Sequence, residues 1–378
     1  MKIVVDDKIP YIREKLAVIA SEVVSLPGAR ISADDVRDAD ALIVRTRTRC
    51  DEQLLKGSRV QFVATATIGY DHVDVDYLNK TGICWTNCPG CNAGSVAQYV
   101  ECALLLLQQN LCLSQSTIGI VGCGHVGSKV KAVAERLGMH VLVCDPPLGD
   151  DSFVSLDVIE KEADVITFHV PLTKEGPHAT YHLADQAFFN RLSRVPYIIN
   201  TSRGEVVDGK ALLAALQDGR VRDAVIDVWE NEPFLDTQLL QRVFIGTPHI
   251  AGYSADGKVN ADNMVIAALC QHFNIQHPSL IVAPSLPAGF QYTGNPLELY
   301  NPLEDSRKLK ENPQLFENLR NNYPLRRESF SYIQLNDEFF ILICILSVKN
   351  TRKKACFLHT YPLVVQSDIT FLLKNLRN

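Results

Sequence analysis

The segment Gly122-Cys123-Gly124-His125-Val126-Gly127 constrains the fold of this chain more than any other, because of what flanks it. An apolar run, Thr117 to Val121, precedes it, and a helical pattern continues from Val126 through Leu137. A G-x-G-x-x-G alone is a weak signal. Between a strand and a helix each glycine acquires a reason: Gly122 makes the tight turn, Gly124 lets backbone approach a pyrophosphate, and Gly127 lets the helix pack closely on the strand. The next strand-like run, His140 to Cys144, ends at Asp145, where a carboxylate would accept hydrogen bonds from an adenosine ribose. A ribose 2′-phosphate would face Asp145 as like charge, so the expected cofactor is NAD rather than NADP.

Strand-like and helix-like segments alternate from the first residue to about residue 276, which predicts an α/β architecture with parallel sheets. A first unit has apolar runs at Ile3-Val4-Val5, Ala41 to Val44, Phe62 to Ala64 and Ile83 to Trp85. A helix is predicted from Ser95 to Gln109, connecting it to a second unit with strands near 117–121, 140–144, 164–168, 197–200, 222–226 and 243–246. A helix over about 255–276 is expected to return to the first unit, before Pro278, Pro284 and Pro287 mark a linker. The predicted partition is therefore 1–93 with 255–280, 94–254, and a C-terminal region 281–378.

At 378 residues the chain has room for two or three domains, and its net charge of −6 offers no basic field for nucleic acid. Expected partners are a small molecule or a second copy of the chain, with no membrane contact and a cytoplasmic location, since no apolar stretch near Met1 suits a signal peptide. Eleven cysteines include a C-x-x-C at Cys88-Pro-Gly-Cys91, but no second ligand pair accompanies it. Buried reduced thiols are expected there and at Cys84, Cys102, Cys112, Cys123 and Cys144, and no metal is expected.

Three strand ends of the second unit carry chemistry. One closes in Asn200-Thr201-Ser202-Arg203-Gly204, the next in Asp227 to Pro233 with Glu232, and the last in Thr247-Pro248-His249-Ile250-Ala251-Gly252. Ligands of open α/β sheets bind outside the carboxyl ends of the strands, so all three should open on one crevice. A guanidinium there can grip a carboxylate in bidentate fashion, and a histidine beside a carboxylate can exchange a hydroxyl proton. Arg45 and Arg47, after the Ala41 to Val44 strand, offer charge for a phosphate or are solvated surface residues; Asp227 either meets a ligand or caps a turn.

With Arg203, Glu232 and His249 in this order after the Gly-rich turn, the chain resembles the D-isomer-specific 2-hydroxyacid dehydrogenases. Lys2 to Asp6, Ala64 to Asp74, Pro89 to Ala93, Cys144 to Pro147 and His249 to Tyr253 extend the resemblance to a branch acting on a phosphorylated hydroxy acid. The resemblance implies a Rossmann-type NAD-binding domain inserted into a flavodoxin-like substrate domain, followed by a C-terminal dimerisation domain. It implies Arg203 and Glu232 as catalytic residues and His249 as proton donor. NAD would meet Gly122, Gly124, His125, Val126, Gly127, Asp145, Thr201, Ser202, Asp227 and Gly252, and substrate would meet Arg45, Thr46, Thr67 and Tyr253.

Residues 330–378 depart from the family's pattern. Their apolar run, Phe339 to Leu346, is too short to span a bilayer and is expected to lie in a homodimer interface. The expected activity is NAD-dependent oxidation of a small phosphorylated 2-hydroxy acid. The alternatives are another member of the family, such as one acting on phosphoglycerate, and a non-catalytic NAD-sensing scaffold.

Overall fold

Short runs of β-branched and aliphatic residues form two all-parallel sheets in the computed structural model, which describes residues 1–329. The first sheet contains β1 (Lys2–Asp6), β2 (Glu22–Leu26), β3 (Ala41–Val44), β4 (Phe62–Thr65) and β5 (Cys84–Thr86), in the order β2-β1-β3-β4-β5. That is the flavodoxin-like order. The second contains β6 (Thr117–Val121), β7 (His140–Cys144), β8 (Val165–Phe168), β9 (Tyr197–Asn200), β10 (Asp223–Ile226) and β11 (Ile245–Gly246). Its order, β7-β6-β8-β9-β10-β11, reverses direction at β6. Every residue of β3, β4, β8 and β9 is buried, as expected for parallel strands covered on both faces.

Two features differ from the sequence reading. The edge strand β2 was not anticipated, because its EVVSL sequence is only half-buried and carries no uninterrupted apolar run. A six-strand dinucleotide-binding order would also place a strand beyond β7. Here the chain touches that edge through the Val154 amide, which donates to the Val143 carbonyl at 2.8 Å.

The helix Ala93–Leu107 is buried on almost all sides, which explains its nearly continuous apolar sequence, and it starts two residues before the predicted position. The helix Ala255–Phe273 returns to the first sheet. Val259, Val265, Ile266 and Leu269 share a core with Ile3, Val5, Ile43 and Phe62.

The polar stretch after residue 291, part of the predicted C-terminal region, forms the helices Pro296–Leu299, Pro302–Glu311 and Phe316–Asn321. Asn295 and Asn301 cap the first two, each accepting a backbone N–H at 3.1 Å ahead of a proline at the first helical position. Tyr300, Leu309 and Phe316 are buried in the cores of the second sheet. Few large apolar residues are needed to seat so thin a layer, which is why the composition concealed it. The run Phe339 to Leu346 lies outside the described residues. Among the described residues no helix is long and apolar enough to cross a membrane.

Candidate active site

The carboxyl ends of the two sheets meet around the Gly-rich turn. Gly122 has φ +91° and lies so close to the His169 carbonyl that a Cβ would sit 2.7 Å from its oxygen. A Cβ on Gly127 would lie 1.9 Å from the Gly122 carbonyl oxygen, so helix and turn are in direct backbone contact. Gly124 is different: a Cβ there would meet nothing within 4 Å, and the residue is the N-cap of the helix His125–Arg136. The open space in front of that helix end suits an anion approaching free amides. His125 is exposed at the first helical position, with its ring against Gly90, and Val126 packs on the core beneath. Asp145 accepts the Cys123 amide at 2.7 Å, tying the end of β7 to the turn. These residues fit the pyrophosphate and adenosine ribose of NAD.

Asn200, at the end of β9, builds the next loop. Its Oδ1 accepts from the Ser202 amide at 3.1 Å and the Ser202 hydroxyl at 2.9 Å, while its Nδ2 donates to the Arg203 carbonyl at 2.9 Å. Arg203 is thereby aimed across the crevice. Its Nη2 would be 2.7 Å from a Cβ on Gly69, a residue of the loop that follows β4. In that loop Thr67 Oγ1 donates to the Gly69 carbonyl at 2.8 Å and pairs with Thr65 Oγ1 at 2.6 Å. Arg203 and Thr67 are thus brought together from different sheets.

His249 and Glu232 form the other wall. His249 Nδ1 lies 2.8 Å from Glu232 Oε2, and Glu232 Oε1 accepts the Trp229 amide at 3.0 Å. Burial would raise the Glu232 carboxyl, but the hydrogen bond and charge of His249, the Trp229 amide and the charge of Arg320 outweigh it and hold it below its ordinary value. His249 Nε2 has no hydrogen-bond partner among the described residues. His249 also adopts φ +55°, unusual for a residue with a side chain. Its amide donates to the Asp227 carbonyl at 2.7 Å, which helps to hold the loop in that conformation.

Asp227 is tied to the loop that carries His249. Its buried carboxylate accepts the Thr247 hydroxyl at 2.6 Å and the amides of Ile250 and Ala251 at 2.8 and 2.9 Å. It serves the His249 loop, the turn-capping alternative. Gly252 is likewise committed to packing, since a Cβ would lie 2.2 Å from Asn92 Nδ2. Thr201 lies beside His169, Oγ1 to Nδ1 3.3 Å.

Arg45 donates to the Lys8 carbonyl at 3.1 Å, and Thr46 is exposed next to it. Tyr253 accepts a hydrogen bond from Arg320 Nη2 at 3.1 Å, and Lys258 Nζ stands 5.3 Å from the centre of its ring. The cysteines need one correction. Cys50, Cys88, Cys91, Cys102, Cys144 and Cys270 are buried, but Cys84 and Cys112 are exposed and Cys123 is only partly buried, because an edge strand, the loop after the helix Ala93–Leu107 and the Gly-rich turn leave their flanks open.

Three residues at the crevice escaped the sequence reading. His169 follows β8 as Thr201 follows β9, and its position at a strand end was the available signal. Burial pushes its imidazole down to about 3, so it is neutral. Lys258 and Arg320 had no signal: one lies inside a helix and the other in the polar C-terminal stretch. Arg320 reaches Tyr253, and Glu317 of the same helix pairs with Arg47 at 2.7 Å.

The family model described as "D-isomer specific 2-hydroxyacid dehydrogenase, NAD binding domain" matches residues 107–251. Erythronate-4-phosphate dehydrogenase of Bacteroides fragilis is 54% identical over 342 residues, 88% of this chain and 98% of its own length. The Porphyromonas gingivalis protein of the same name is 42% identical, over 87% of this chain and 94% of its own. The NAD⁺-bound crystal structure of 3-phosphoglycerate dehydrogenase from Entamoeba histolytica is 28% identical, with a TM-score of 0.62 over 74% of this chain and 99% of that one. With the Gly-rich turn, Asp145 and the Arg203, Glu232 and His249 set all at one crevice, the chain belongs to the D-isomer specific 2-hydroxyacid dehydrogenases and is an NAD-dependent dehydrogenase.

Proposed function

We propose that the protein oxidises 4-phospho-D-erythronate to 2-oxo-3-hydroxy-4-phosphobutanoate, a step of pyridoxal 5′-phosphate biosynthesis. The observation that carries the chemistry is the His249–Glu232 pair, 2.8 Å apart, sharing a crevice with an arginine held against the loop after β4. The substrate follows from relatives up to 54% identical that carry the name erythronate-4-phosphate dehydrogenase. Bound NAD supplies the acceptor for the C2 hydride, held by the Gly122 to Gly127 turn, Asp145 and the Thr201-Ser202 loop. His249 takes the C2 hydroxyl proton at Nε2. Glu232 fixes the ring through Nδ1 and stabilises the imidazolium that results. Arg203 holds the substrate carboxylate and polarises the developing carbonyl, while Thr46, Thr67 and Tyr253 position the rest of the chain of carbons.

In this reading residues 1–93 with the return helix form the substrate half, and 94–254 the NAD half. The enzyme acts in the cytoplasm as a homodimer assembled through its C-terminal region. The test follows NADH absorbance with 4-phosphoerythronate, 3-phosphoglycerate and D-lactate. The reading requires 4-phosphoerythronate to have the highest kcat/KM. Preference for phosphoglycerate would move the protein to the neighbouring activity, and no turnover of any of the three would favour a non-catalytic NAD-binding role.

A further inference from the structure

The first sheet's side of the crevice holds two cations, Lys258 and Arg45, that make no ion pair within 4.0 Å among the described residues. Lys258 lies in the first turn of the helix Ala255–Phe273 and is half-buried, yet it has no ion pair within 4.0 Å among the described residues; its recorded contact is the face of Tyr253 at 5.3 Å. Arg45, at the end of β3, donates only to the Lys8 carbonyl. Burial and then the charge of Arg45 hold the Lys258 amine below its ordinary value, against an opposing pull from Asp262. Two like charges drawn together at a partly desolvated site cost energy unless an anion completes them.

One nearby carboxylate compensates them only in part. Asp262, one turn along the same helix, accepts the Tyr11 amide at 3.2 Å through Oδ2, and its buried Oδ1 has no partner. Burial pushes its carboxyl up to about 7 despite the opposing charges of Arg45 and Lys258, so even when ionised it sets one negative charge against two positive ones. Arg47 and Arg320, by contrast, already share Glu317.

We propose that Lys258 and Arg45 form the subsite that binds the substrate's phosphate dianion, with the Tyr253 ring beside it and Arg203 holding the carboxylate at the other end. This rests on the phosphorylated substrate proposed above. Lys258 is then a specificity determinant: a monoanionic hydroxy acid without phosphate leaves the two cations unpaired and is selected against. Its role is separate from that of the His249–Glu232 pair, which acts on the C2 hydroxyl whatever the far end carries.

The experiment measures kcat/KM for 4-phosphoerythronate and for unphosphorylated D-erythronate in the parent, Lys258→Met and Arg45→Gln. The ratio of the two values should fall about 10- to 100-fold in each variant, the loss expected for one charge-assisted contact, and Lys258→Arg should recover part of it. An unchanged ratio in both variants overturns the proposal. A second measurement reads the subsite without any assumed substrate. Inorganic phosphate should raise the melting temperature of the NAD-loaded parent, and the rise should shrink in Lys258→Met and Arg45→Gln. A full parental rise in both variants overturns the subsite. A parent that binds phosphate through these residues but does not oxidise 4-phosphoerythronate keeps the subsite and refutes only the substrate.

Discussion

The two sheets share nearly the same winding but receive negative charge by different means. In the second, β6 runs into Gly122-Cys123-Gly124, and the turn presents backbone at the start of a twelve-residue helix. In the first, β1 occupies the corresponding place and runs into Asp6-Asp7-Lys8, where Asp6 Oδ1 accepts the Lys8 amide at 2.9 Å. That carboxylate takes an amide an anion would need, so there is no backbone cradle. Positive charge on this side comes from side chains instead: Arg45 and Lys258. In the proposed reading one topology thus supports a cofactor side built on backbone, which does not titrate, and a substrate side built on side chains, which responds to substitution and pH.

The largest expected effect lies where the two sides meet. His249→Ala should lower kcat by about 10² to 10⁴, the usual worth of general acid–base catalysis, while NAD affinity measured by fluorescence titration stays near the parent's. Loss of NAD binding in step with turnover would mean that the loop held by Asp227, rather than the imidazole, had been damaged.

A pair of alanine substitutions separates structure from binding on the cofactor side. Gly127→Ala places a Cβ 1.9 Å from the Gly122 carbonyl oxygen, so it should cost about 1–3 kcal/mol of stability, as overpacking does. Gly124→Ala meets nothing within 4 Å. It should melt near the parent's temperature yet bind NAD about tenfold more weakly. If the two variants behave alike in calorimetry and in NAD titration, the open space at Gly124 is not the pyrophosphate site.

The same contrast explains what was legible in the sequence. Backbone requirements leave glycines at fixed spacing, so the turn, its flanking strand and helix, and the strand-end motifs at Arg203, Glu232 and His249 could be read directly. Asp227 was legible as a residue but ambiguous in role, because a carboxylate after a buried strand can face a ligand or a loop; its 2.6–2.9 Å bonds to Thr247, Ile250 and Ala251 add the loop-holding part. Contacts between distant segments left no trace. Arg326 is buried, lies 3.7 Å over the Tyr300 ring, and donates to the Ser95 carbonyl at 2.7 Å and to the Ile250 and Ala251 carbonyls at 3.3 Å. It braces the His249 loop from behind, and no local pattern announces such a residue.

The most gradual effect concerns pH and the side-chain half of the comparison. Asp262 keeps its proton in the folded protein up to about 7, against an ordinary value of 3.8, because burial disfavours its charged form. Between those two values the native state binds more protons than the unfolded state, so this group makes stability fall as pH rises, and above about 7 the loss is complete. Asp262→Asn removes the ionisation while keeping an acceptor for the Tyr11 amide. The variant should therefore gain on the parent as pH rises from 4 to 8, by at most about 1 kcal/mol per pH unit, in urea titrations run at each pH. A constant difference across that range would mean that Arg45 and Lys258 hold Asp262 ionised throughout, and that one of the two positive charges is already offset before any phosphate arrives.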